Sequence, residues 1–147
     1  MSPLTWRGRR GFIGAAALAA FALLPGCASN LRHGIRPLRP LELATGPYDG
    51  TITASPTGSL MYEGGCLLFR VDGSPVPLLP IWPDGSLFNG TSVIFHEPGK
   101  AGQPIILEQE VVIEGRPISW DRLAGYEPFE RQCRAEPFLV SKVRPAD

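Results

Sequence analysis

The chain has 147 residues, room for one domain, and its 14 basic and 14 acidic residues balance. That balance excludes nucleic-acid binding through a net basic field. With 17 glycines, 16 prolines and only 19% charged residues, the composition favours short strands joined by turns over long helices.

The first ten residues, MSPLTWRGRR, carry Arg7, Arg9 and Arg10 and no acid. GFIGAAALAAFALL, residues 11–24, follows without a charge. This run is shorter than the roughly 20 apolar residues a spanning helix needs, and it has the length of a signal-peptide core. A buried N-terminal helix is the competing reading; the run is apolar on every side and packed with small residues, which speaks against it. The run ends in Leu24-Pro25-Gly26-Cys27, which resembles the lipobox of bacterial lipoproteins. Pro25 is a departure from the commonest pattern. In that family the thiol corresponding to Cys27 is alkylated by diacylglycerol, and the chain is cut between the positions of Gly26 and Cys27. Two or three acyl chains hold a protein firmly to a bilayer.

The resemblance implies a signal peptide over residues 1–26 and a lipid anchor at Cys27. It places the protein in the bacterial cell envelope, facing the periplasm, with the membrane as a partner through the anchor. Ala28 stands where an aspartate is associated with inner-membrane retention in some bacteria, which favours the outer membrane. An unlipidated secreted or cytosolic chain is the alternative. RRGFIG, residues 9–14, also resembles a twin-arginine export motif, although Gly8 and Gly14 depart from it. Removing residues 1–26 takes away three arginines and no acid, so the remainder is mildly acidic.

Residues 27–48 read as the lipidated cysteine and a tether, because Pro37 and Pro40 interrupt any helical spacing of Leu31, Ile35 and Leu38. Some 20 residues reach at most about 70 Å. Arg32, His33, Arg36 and Arg39 make this segment basic, suited either to anionic headgroups or to solvent.

Residues 49–147 read as strands. GTITA and SLMYE flank a turn at SPTG, and GCLLFRV runs into DGSP, an Asp-Gly hairpin signal. VPLLPIW follows, its prolines predicting an edge strand or a bulge. TSVIFHE comes after a turn at Asn89-Gly90. PIILEQEVVIEG, residues 104–115, predicts one long strand. Ile105, Leu107, Val111 and Ile113 share its inner face and Glu108, Glu110 and Glu114 its wet face, with Gln109 an inward exception. SWDRLAG predicts a single helical turn between Ser119 and Gly125, and FLVSKV a closing strand. Six or seven short strands with almost no helix predict an all-β domain, a small closed or partly open β-barrel. A two-sheet sandwich is the alternative.

With Cys27 lipidated, Cys66 and Cys133 remain, an even number suited to a disulfide in an oxidising compartment. Such a bond would close about 68 residues and contribute about 4 kcal/mol in the loop-entropy model. Two free thiols, or a redox or metal site without CxxC spacing, are the rivals. His33 and His96 are the only histidines and have no metal-ligand spacing, so no metal site or cofactor is expected. No serine sits in a G-x-S-x-G elbow, and no carboxylate pair is singled out, so no catalytic residue is assigned. Trp82, flanked by Pro80 and Pro83, is the candidate binding face, open to glycan, peptide or lipid; the competing reading has Trp82 plug the barrel.

GGCLLF, LPIWPDG, a late cysteine and a closing FLV together resemble small uncharacterised secreted proteins of bacteria, associated with barrels like the oligonucleotide/oligosaccharide-binding (OB) fold. That resemblance implies a fold and no activity. The expected function is a lipid-anchored envelope protein with a non-catalytic binding or structural β-domain, its partner an envelope protein or glycan and not nucleic acid. An envelope enzyme acting on glycan and a metal or redox accessory protein are the alternatives.

Overall fold

The computed structural model describes residues 34–147, of which 35–147 form one unit. Residues 1–26, read above as a signal peptide, together with Cys27 and His33, lie outside the described residues. Of the tether expected over 27–48, residues 34–48 are described, and Leu38, Leu43 and Ala44 pack against the domain. Ala44 is buried, and Thr45–Gly46 forms a short strand, β1.

Thr57–Glu63 (β2) and Cys66–Val71 (β3) form an antiparallel hairpin with Glu63 opposite Cys66. Its two-residue loop is Gly64-Gly65, both at positive φ, which glycine adopts without strain. The Asp-Gly turn then leads to Leu78–Pro83 (β4), which meets β3 at the single pair Phe69–Leu78. Further along the chain, Glu110–Pro117 (β8) pairs antiparallel with β2, and with the last strand, Glu136–Pro145 (β9). β9 lies parallel to β4, with Leu78 beside Glu136 and Ile81 beside Leu139. These pairings close a ring, β2–β3–β4–β9–β8–β2. A three-strand meander closed by a parallel pairing is the OB-like arrangement, here a small, partly open barrel in an all-β domain.

Between β4 and β8 the chain makes a second sheet from Leu87–Phe88 (β5), Ser92–Phe95 (β6) and Gln103–Ile106 (β7). Phe88, Val93, Phe95 and Ile105 turn inward and join the barrel core of Leu60, Leu67, Phe69, Trp82, Ile113, Phe138 and Val140. The small sheet leaves from the end of β4 and returns at the start of β8, so it closes that end of the barrel. A separate cluster sits on the outside of β3 and β4. There Cys66, Leu68, Leu79 and Ile81 are covered by Ala44 and by Phe129, Cys133 and Ala135. Phe129 and Cys133 belong to a helix, Glu127–Cys133 (α1), that ends at Arg134 in the left-handed region.

Four expectations change. The stretch 104–115 is two strands in two sheets, because Glu108 takes φ 65° and Gln109 sits in the break, exposed, accepting from the Ile106 N–H. GTITA contributes only a bridge from Ala54 to Gly115. The predicted helical turn is a 3₁₀ turn at Trp120–Arg122, without a side-chain cap from Ser119, and α1 follows it unforeseen. Finally, β4 is not an edge. Its Trp82 and Asp84 N–H groups donate to Ala44 and Gly46. Alternation places the missing donor of Pro80 on that same side, between the Phe69 pairing and the β1 pairing, where no ladder bond is lost.

Candidate functional site

Strand direction brings five segments to the end of the barrel opposite the small sheet: the approach to β2, the end of β3, the start of β4, the end of β8 and the start of β9. They surround a cleft of about 610 Å³. Its walls are Ala54, Pro56, Val71, Val76, Leu78, Pro117 and Phe138, with Ser55, Ser74 and Glu136 as the polar members. Phe138 belongs to the barrel core and Val71 and Leu78 pack against it, so the floor of the cleft is the core itself. Val76 stands 43% exposed beside it on the β3–β4 turn, where the Ser74 hydroxyl donates to the Val76 carbonyl and accepts from its N–H. Glu136 is held in place by its own backbone, whose N–H donates to Pro77. Its side chain is exposed and makes no ion pair among the described residues.

A cleft of this size, apolar with a few polar groups and placed at a barrel mouth, has the character of small-molecule sites. No sequence motif marks it. Its parts come from five separate stretches, and the only local signal is Glu136 standing just before the apolar run that opens β9.

OB-like barrels commonly bind ligands across their second and third strands. The corresponding outer face here, on β3 and β4, is occupied by α1 and the β1 segment. Cys66 and Cys133 are joined in a disulfide 67 positions apart, which fixes α1 against the start of β3. Gln132 at the end of α1 adds a bond from its amide to the Gly64 carbonyl at 2.9 Å.

The expected binding face is internal. Trp82, Pro80 and Pro83 are all buried, Trp82 completely, with Phe95 edge-on to its ring at 6.2 Å between centroids. Trp82 therefore plugs the barrel, and its Nε1–H has no partner among the described residues. Alternation along β4 turns residues 78, 80 and 82 into the barrel, so the tryptophan cannot also serve as an outer platform.

A smaller cleft, about 400 Å³, lies beside β1 between Tyr48, Asp49, Arg122, Leu123 and Tyr126. Two of its polar groups are already engaged. The Tyr126 hydroxyl donates to the Thr45 carbonyl at 2.6 Å, and burial, with a contribution from Asp84, pushes its phenol above the ordinary value. Asp49 accepts from Arg116 at 2.5 Å, and hydrogen bonding from Thr51 and Arg116 holds its carboxyl low. His96 is exposed on the loop after β6, next to Glu97, whose carboxylate pairs with Lys100 at 2.7 Å. Among the described residues no group of three or more His, Cys, Asp or Glu side chains could hold a metal ion, and no helix is long and apolar enough to cross a membrane.

Compared with protein-family models, curated proteins and solved structures, the chain matches none.

Proposed function

We propose that this chain is a lipid-anchored protein of the bacterial cell envelope whose barrel is a binding module, taking its ligand at the mouth. The mouth cleft carries the binding half of the reading, because an apolar hollow floored by Leu78 and Phe138 offers burial to a ligand without unfolding anything. The address is supported by Leu24-Pro25-Gly26-Cys27 at the end of an uncharged run. It is supported again by the Cys66–Cys133 bond, since disulfides persist in oxidising compartments. On this reading Cys27 holds the domain at the membrane and the outer membrane is its site, facing the periplasm.

The test is the intact mass of protein extracted from membranes, with and without reductant, beside a Cys27→Ser variant. The wild-type chain is expected to begin at Cys27, to carry acyl chains and to gain the mass of two hydrogens on reduction. The variant is expected to remain unprocessed. A wild-type mass that retains residues 1–26, or free thiols in the native protein, overturns the address.

A further inference from the structure

The inward side of the barrel strands is almost entirely apolar. Alternation places Leu60 and Tyr62 of β2, Leu67, Phe69 and Val71 of β3, and Leu78, Pro80 and Trp82 of β4 on that side, and the core confirms nearly all of them. On β8 the inward residues are Val111 and Ile113, and on β9 they include Phe138 and Val140. Counting back from Phe138, the same parity falls on Glu136. It is the one acidic or basic residue that alternation turns inward on these five strands, and it stands where the strand begins, at the rim of the cleft. No cation answers it among the described residues.

A lone carboxylate above an apolar hollow is complementary to a molecule with two different ends. We propose that the barrel mouth binds an amphiphile with a protonated amine, its apolar body against Val71, Leu78, Val76 and Phe138 and its ammonium group at the Glu136 carboxylate. The proposal rests on the binding reading of the mouth and adds the class of ligand. Ser55 and Ser74 supply hydroxyls on the wall without adding charge, so the sign of the ligand is set by Glu136 alone. An anionic amphiphile would meet that carboxylate at the rim and be repelled. A neutral one would gain the apolar contact only.

The experiment uses the full chain in its own membranes and three photoreactive probes. Each has an eight-carbon chain carrying a diazirine, and the heads are a primary amine, a hydroxyl and a carboxylate. Labelled positions are mapped by mass spectrometry of peptides, and resistance of the domain to limited proteolysis serves as the check that it is folded. The amine probe is expected to label residues of the mouth most heavily and the carboxylate probe least. Because Glu136 is exposed, the gain from its charge is modest. Glu136→Gln should lower amine labelling about five-fold and leave the hydroxyl probe unchanged. Glu136→Lys should exchange the preference of amine and carboxylate. Equal labelling of the mouth by all three probes overturns the amine assignment and leaves the mouth as a binding site. Absence of labelling there by any probe overturns both.

Discussion

Gly115 is where β8 bends. The register of the β8–β9 ladder shifts between Glu114 and Gly115, and the Gly115 carbonyl accepts from both Thr53 and Ala54, at 2.7 and 3.0 Å. A β-carbon at this position would overlap the Leu139 carbonyl oxygen, which belongs to the ladder and cannot swing away. Gly115→Ala is therefore expected to cost about 1–3 kcal/mol, the usual penalty for forcing atoms into a packed interior, read as a lower urea midpoint. Trp82 poses the opposite case, since its ring fills the barrel while its Nε1–H bonds to nothing among the described residues. Trp82→Ala removes the filling and should cost about 3–5 kcal/mol. Trp82→Phe also removes the unpaired donor, whose burial is itself unfavourable by about 1–3 kcal/mol. Its net cost should be well under half that of the alanine variant. Equal losses for the two would mean that the indole N–H finds a partner after all.

The segment before β1 is clasped to itself as well as to the barrel. Arg36 donates to both carboxylate oxygens of Glu42, and the Arg39 N–H adds a third bond at 2.7 Å. The Arg36 hydrogen bond is the main cause that holds the Glu42 carboxyl at about 2, against an ordinary 4.5. A folded-state value below the unfolded one means that the clasp contributes fully above about 4.5 and is lost as pH falls through about 2. A carbon-13 titration should find the Glu42 midpoint near 2, and Arg36→Gln should return it toward 4.5. Nothing in the segment's composition announces this clasp, and other elements were similarly uneven in their legibility. Strands bounded by Gly-Gly, Asp-Gly or Asn-Gly could be read from sequence because such turns are decided locally; the Asn89 side chain accepts from the N–H groups of Thr91 and Ser92. The break between β7 and β8 could not, because Ile105 and Val111 both face inward and the alternation runs on through the change of sheet. Helix α1 is too short for a periodic pattern, with only Phe129 and Cys133 buried on one face. The mouth cleft is less legible still, since it exists only once five strand ends meet, and the proline-flanked Trp82 drew attention to the interior instead.

At the scale of the molecule two packed layers depend on one covalent tie. The barrel core is sustained by strands that pair all round the ring, but the outer cluster is held by α1, seven residues that would not persist alone in water. Cys133 ends that helix and Cys66 begins β3, so their bond ties the late, weakly self-sufficient segment to the first hairpin across 67 positions. In the unfolded chain the same bond closes a long loop and removes conformational freedom, a stabilisation of about 4 kcal/mol in the chain-entropy model. Replacing both cysteines by serine should lower the unfolding free energy by about that amount, measured by urea titration of the two proteins side by side. The loss should be uneven in space. Amide exchange in 127–133 should rise before that of β2 and β3, because the helix loses its anchor while the hairpin keeps both its ladder and its place in the ring. A uniform rise across both would place the bond's effect in the unfolded chain alone. A helix that exchanges first would show that the disulfide also keeps the outer face of β3 and β4 covered, leaving the mouth as the open side of the barrel.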